Sequence, residues 1–300
     1  MADIKLFNLD GNVTEIKSGN VTLEKELQNI IEDNMESFFG VTFLASEYRT
    51  TDGGRMDSIG IDENNCPVIF EYKRSIKENV INQGLFYLNW LLDHKDSFKV
   101  LVIEKLGMTH AKKIDWTMPR VVCIASDFTK YDASAINQMN RNVSLIRYKK
   151  FGEHLLMFEH VNENVAMAIP DADETPRKSN SKSYEKTFEE QLESAAPPIK
   201  ILYENLANYI LSLGDDVSET HLKFYAAFKK IRTIVTVVIQ QKRLKVYLPL
   251  DASTVPLEDS FSRDVTNIGH WGYGSVEFEI HNSQDLKKAK PFIDRAYNEN

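Results

Sequence analysis

The sequence predicts an α/β fold, a mixed sheet flanked by helices, followed by a small α+β domain. Three observations carry this. Before about residue 170, apolar residues switch repeatedly between strand and helix periodicity. Two continuous apolar runs, Lys99–Glu104 and Arg120–Ala125, read as buried central strands. A polar stretch near 170–197 then separates this pattern from a shorter one of strands closed by a helix.

Residues 4–16 predict a hairpin turning at Asp10-Gly11, a favoured two-residue turn. Residues 22–39 predict a helix with Leu23, Leu27, Ile30, Ile31 and Phe38 on one face and Thr22 as its N-cap. Strands follow at 41–48, 55–62 and 67–73, then a helix over 77–94 whose stripe is Val80, Leu85, Leu88, Leu91 and Leu92. A helix at 131–141 and strands at 143–150 and 154–161 complete a first domain, 1–168. Residues 169–197 are rich in Ser, Asn, Lys and Glu with prolines near both ends, and read as a solvated linker with a short helix around Tyr184–Leu192. The second domain, 198–300, begins with a helix at 199–213 and an aromatic-rich stretch, Leu222–Ile231. A hairpin of Ile234–Gln240 with Leu244–Leu248 follows, then a strand at Ser275–Ile280 and a helix capped by Ser283.

Hydrophobic residues at 42% and charged residues at 27% are ordinary globular values. Cys66 and Cys123 lie far apart and make neither a disulfide framework nor a zinc site. No secretion signal is visible and no run approaches the roughly 18 apolar residues of a membrane span. The expectation is a soluble cytoplasmic protein without a membrane partner. A net charge of −8, with neither half basic, counts against broad nucleic-acid binding. Acidic metal ligands would themselves lower that balance, and a cationic face would escape it.

The most informative stretch is 53–75. Glu71 and Lys73 lie two apart on one strand and share a face, with Tyr72 on the other. If Asp62 pairs with Cys66 around Glu63-Asn64-Asn65, Asp57 falls directly opposite Glu71 across the hairpin. Opposed residues have Cβ atoms about 4.5–5.5 Å apart, so the two carboxylates can share one small cation. Magnesium takes one or two carboxylates together with water and phosphate oxygens, and Lys73 would orient or help deprotonate a bound water. On the preceding helix Glu24 lies nearer the apolar face than Glu26, and Gln83 and Tyr87 are i,i+4 neighbours on the following one. Arg49, Arg55, Arg74 and Lys77 add a local basic cluster suited to phosphate contacts. The plain alternative is an amphipathic hairpin with solvated Glu–Lys pairs. The flanks Ile59-Gly60-Ile61 and Val68-Ile69-Phe70 instead read as buried on both faces, and charges ending such strands point to function.

These residues resemble a known family. Gly54-Arg55-Met56-Asp57, followed after thirteen residues by Glu71-Tyr72-Lys73, is similar to the bipartite motif of the PD-(D/E)XK nuclease superfamily, and most similar to its NucS-type endonucleases. The resemblance covers about residues 22–125 and implies a restriction-endonuclease-like sheet. It implies Asp57 and Glu71 as metal ligands for Mg²⁺, with Mn²⁺ able to substitute, Lys73 as catalytic, and Glu24 and Gln83 as accessory catalytic groups. It also implies hydrolysis of DNA, such as branched, mismatched, flap or foreign DNA, with RNA as an alternative and a homodimer compatible. Met56 stands where the family usually has proline. The second domain is similar to an uncharacterised domain found beside such nuclease-like domains, in proteins labelled predicted transport proteins. The competing function is a catalytically inactive nuclease fold that binds nucleic acid or protein.

Outside this site, the seven histidines show no ligand spacing. Gly269-His270-Trp271-Gly272-Tyr273-Gly274 invites two readings: Trp271 plugging the core, the expected one, or rings that stack bases or a ligand.

Overall fold

The computed structural model describes residues 4–19, 24–73, 80–139, 141–164 and 186–300. It divides into two compact units, Met1–Ile114 with Pro119–Ala166, and Asp115–Met118 with Met167–Asn300. The expected cap Thr22, the cations Arg74 and Lys77, and the centre of the expected linker lie outside the described residues.

In the first unit, β1 (Leu6–Asn8) and β2 (Thr14–Ile16) pair antiparallel, but the connection is wider than the two-residue turn expected at Asp10-Gly11. The Asn8 side chain accepts the Asp10 amide at 2.8 Å and opens the turn early. A short β3 (Ser18–Gly19) precedes α1 (Glu24–Asp33) and α2 (Met35–Phe39). The single helix expected over 22–39 is thus two, because Asn34 leaves helical geometry at φ −130°. Then come β4 (Val41–Arg49), β5 (Arg55–Asp62) and β6 (Pro67–Lys73), with β5 antiparallel to both β4 and β6.

Helices α3 (Val80–Asp93), α4 (Lys95–Leu106) and α5 (Met108–Ala111) lead to β7 (Arg120–Ala125), which lies parallel to β6. Lys99–Glu104, expected as a central strand, lies inside α4. Phe98, Leu101 and Val102 are buried while Val100 is exposed, a helical spacing that a short apolar run hides. Helix α6 (Lys130–Ile136) then leads into β8 (Asn142–Phe151), parallel to β7, and β9 (Leu155–Asn164), antiparallel to β8. The sheet order is β3-β8-β7-β6-β5-β4, with β9 also on β8. This is a mixed sheet flanked by helices, in the expected order of helix, three strands, helix and strand.

A reciprocal cap opens α6: the Thr129 side chain accepts the Asp132 amide, and the Asp132 carboxylate accepts the Thr129 amide at 2.8 Å. Thr129→Ala is expected to lower stability by about 1 kcal/mol, measured by chemical denaturation. No change would assign those N–H groups to water.

In the second unit, α7 (Phe188–Ser194) and α8 (Pro197–Leu211) precede six antiparallel strands. These are β10 (Ser218–His221), β11 (Ala226–Lys229), β12 (Thr233–Gln240), β13 (Arg243–Leu248), β14 (Ser262–Asp264) and β15 (Val276–Ile280), ordered β10-β11-β12-β13-β15-β14. Helix α9 (Ser283–Glu299) closes the chain. Its N-cap is Asn282 rather than the expected Ser283: the Asn282 carboxamide accepts the amides of Gln284 and Asp285. Alternation puts Val237, Val246 and Phe278 on one face, where they share a core with Leu206, Ile210, Ala289 and Ile293 of α8 and α9. Phe188 is fully buried in that core, so ordered structure begins ahead of residue 198. The opposite face carries Thr236, Tyr247, Glu277 and Arg263 in register across four strands. Among the described residues, no helix is long and apolar enough to cross a membrane.

Candidate functional site

The β5–β6 hairpin has the register derived from the sequence. Asp62 N donates to Cys66 O at 2.9 Å, and Ser58 faces Phe70, so the next position sets Asp57 opposite Glu71. The Asp57 amide donates to Glu71 Oε1 at 3.3 Å, and the Tyr72 amide donates to Asp57 Oδ2 at 3.0 Å. Each acid thus holds a backbone amide of the other strand.

Glu71 has no exposed surface. Gly84 of α3 lies over it: a Cβ added there would stand 3.7 Å from Glu71 Cγ and only 2.5 Å from Val121 Cγ1. Glu71 Oε2 is buried without a hydrogen-bond partner. Burial, and then the charge of Asp57, push the Glu71 carboxyl up to about 9. The Asp57 carboxyl is also raised, by burial first, against the lowering effect of the Tyr72 amide and Lys73.

Lys73 completes the face. Its ammonium lies 3.4 Å from Glu24 Oε1, so the helix acid chosen from the wheel does reach the strand end. Burial alone would lower the Lys73 pKa, but Asp57, Glu24 and Glu71 together outweigh it and raise the value. Lys73 is therefore a held cation near neutral pH.

The remaining expected residues divide. Gln83 Nε2 donates to the Tyr87 hydroxyl at 3.4 Å, and that hydroxyl accepts the Arg55 amide at 3.2 Å. Tyr87 thereby pins the backbone of the Gly54-Arg55-Met56-Asp57 segment, whereas no hydrogen bond from Gln83 to the acids is seen. Arg55 and Arg49 face one another across β4 and β5, and Arg55 Nε lies 2.6 Å from Glu47 Oε2.

Sequence reasoning missed two features. Glu47 sits one strand over, between the Ser46↔Ser58 and Tyr48↔Met56 pairs, and so in register with Asp57. It adopts φ 54° and adds a charge that raises the Asp57 carboxyl. Beneath the site, Gln28 is buried and donates to the Asp57 carbonyl and to Glu32, both at 2.8 Å. Ser58 donates to Glu32 at 2.6 Å and accepts from the Tyr72 hydroxyl at 3.1 Å. Glu24, Gln28 and Glu32 recur every four residues, a polar stripe that could have marked this inward network.

Among the described residues, no group of three or more His, Cys, Asp and Glu side chains is gathered as a metal centre. The donor set is two carboxylates. That suits magnesium, which keeps waters and takes few protein ligands, and the orphaned Glu71 oxygen is an acceptor that a cation would satisfy.

Residues 188–300 match the family described as "Domain of unknown function (DUF5655)". Over nearly its whole length, the chain is 29% identical to an uncharacterized protein of Haemophilus influenzae, covering 95% of this chain and 96% of that one. A repair endonuclease from Pyrococcus abyssi shows a remote structural likeness, with 18% identity and a TM-score of 0.30. That match covers 43% of this chain and about half of the other, 48%.

Proposed function

We propose that the first unit hydrolyses phosphodiester bonds of DNA with a divalent metal ion. The carrying observation is the Asp57–Glu71 pair: two carboxyl groups on facing strands, one oxygen without a partner, beside the Lys73 ammonium. The reading rests on this geometry and not on the remote endonuclease likeness. Asp57 and Glu71 would hold the ion, which when bound would lower the pKa of a coordinated water and offset charge on the phosphate.

Lys73, kept protonated by three acids, stabilises negative charge on the phosphate and positions the attacking water, and it does not take its proton. Glu24 orients Lys73 through the 3.4 Å contact. Tyr87 and Gln28 fix the Asp57 strand from either side. Substrates with branched, mismatched or flap structure suit a protein whose net charge is −8, since local geometry and not broad basic surface must hold them.

The test compares wild type with the Asp57→Ala/Glu71→Ala double variant on linear, branched and single-stranded DNA, with Mg²⁺ or Mn²⁺. Cleavage by wild type and a loss on the order of 10³-fold or more in the variant is expected. Lys73→Met should lose about 10²- to 10³-fold. Cleavage surviving in the double variant sinks the assignment.

A second reading has one observation in its favour: Glu71 is wholly buried, with Gly84 of α3 against it. If neither protein cuts and both bind duplex DNA equally, the first unit is a binding module.

A further inference from the structure

The Gly269–Gly274 segment does not plug the core, contrary to the sequence expectation. Trp271 is 45% exposed. The loop lies on the helix-free face of the second unit and is built to lie flat there. Gly272 has φ +87°, and a Cβ would strike Thr236 Cγ2 at 2.1 Å; Gly274 has φ +147°, with Leu248 N 2.8 Å from its Cβ position. Thr236 Oγ1 fastens the loop, donating to Tyr273 O at 3.0 Å and accepting from Tyr273 N at 3.2 Å.

Two of the rings here, Phe224 and Tyr273, have a cation as a neighbour. Trp271 packs on Phe224 with centroids 4.3 Å apart, and Lys223 Nζ lies 5.3 Å from the Phe224 ring. His270 stacks on Tyr247 at 4.3 Å and 4°, and Arg263, paired with buried Glu277, stands in register with Tyr247 two strands over. Arg232 donates to the Tyr273 hydroxyl at 3.4 Å, while its Nε is buried without a partner. An open cleft of about 260 Å³ at the same loop is lined by Thr266, His270 and Tyr273 with Gly272, Gly274 and Ser275.

We propose that this face binds single-stranded nucleic acid. Unpaired bases present ring faces that stack on Trp271 and on the His270–Tyr247 pair, and the phosphates run past Lys223, Arg232 and Arg263. A duplex hides those ring faces, so exposed aromatics interleaved with cations select unpaired strands.

The face belongs to the second unit and the proposed metal pair to the first, and its test needs no catalysis. Full-length protein in EDTA is titrated into a fluorescein-labelled oligothymidylate at low salt, and anisotropy is read. Wild type should bind, Trp271→Ala should raise Kd by roughly 5- to 100-fold, and Trp271→Phe should recover most of the affinity. Arg232→Ala and Lys223→Ala should each reduce the salt slope of log K by about 0.7. The Asp57→Ala/Glu71→Ala protein should bind like wild type, so failure of the hydrolytic reading leaves this result legible. No binding by wild type, equal binding by Trp271→Ala, equal competition by duplex, or equal affinity for thymidine monophosphate each overturns it. If Trp271→Ala melts early, Trp271→Phe against Trp271→Leu decides, because Leu keeps apolar bulk and loses the stack.

Discussion

Replacing Glu71 by Gln is expected to raise the thermal stability of the metal-free protein above pH 7 while abolishing hydrolysis. The two effects have one cause. The folded state holds the Glu71 proton up to about pH 9, because burial and the neighbouring Asp57 disfavour the carboxylate. The unfolded chain releases it near pH 4.3. Between those values the folded state binds the extra proton, so stability is complete below about pH 4 and declines as pH rises through 9. At pH 7 this is a loss on the order of 3 kcal/mol, as an upper bound. Gln is nearly isosteric and never ionises, so it removes the slope together with the ligand oxygen. Melting curves at acidic, neutral and alkaline pH should show wild type falling more steeply than Glu71→Gln, which keeps only the smaller slope of buried Asp57. Added Mg²⁺ or Mn²⁺ should restore wild type at alkaline pH and leave the variant unmoved. Parallel pH profiles for the two proteins would remove the buried-acid conflict from the account.

Gly84→Val should cost about 3 kcal/mol, against the usual direction for glycine in a helix. Adding a side chain to a helical glycine ordinarily gains stability, about 1 kcal/mol for Ala. Here the new Cβ would sit 2.5 Å from Val121 Cγ1, in a core position with no open space, and Val adds two further carbons. Overpacking of this kind typically costs 1–3 kcal/mol, so packing outweighs propensity. Helix α3 must then lift from the sheet, which admits water to Glu71 and loosens the Tyr87 hold on the Arg55 amide. Urea denaturation gives the stability, and the pH profile of melting gives the uncovering: the Glu71-dependent slope should shrink in Gly84→Val. Gly84→Ala should fall between the two. Unchanged stability in both would mean that the helix shifts without cost.

How much of this was legible in the sequence depended on how local the information was. The Asp57–Glu71 register followed from one loop and a two-residue period, and both survive in the folded molecule. Glu24 reached Lys73 because a helical wheel locates a face correctly over one turn. Lys99–Glu104 failed, since four consecutive apolar residues satisfy a strand and a buried helix equally, and only Val100 facing outward separates them. Ser283 lost the cap to Asn282 by one position, since both are good caps and the choice lies in backbone geometry. Trp271 was misjudged because a large ring ordinarily goes inside, whereas Gly272 and Gly274 let the loop lie against Thr236 and Tyr247 with that ring exposed. Glu47 was invisible because its left-handed backbone breaks the alternation that a strand reading assumes.

The β5–β6 turn also orders events during folding. Asp57 and Glu71 are brought face to face by a short hairpin, the kind of element that forms in microseconds, and at that stage both carboxylates are still wet and ionised at little cost. The electrostatic conflict arises only when α3 settles Gly84 onto Glu71. Proton uptake therefore belongs to the docking of that helix and not to the making of the hairpin. A stopped-flow refolding experiment with a pH indicator should find the proton taken up in the later phase.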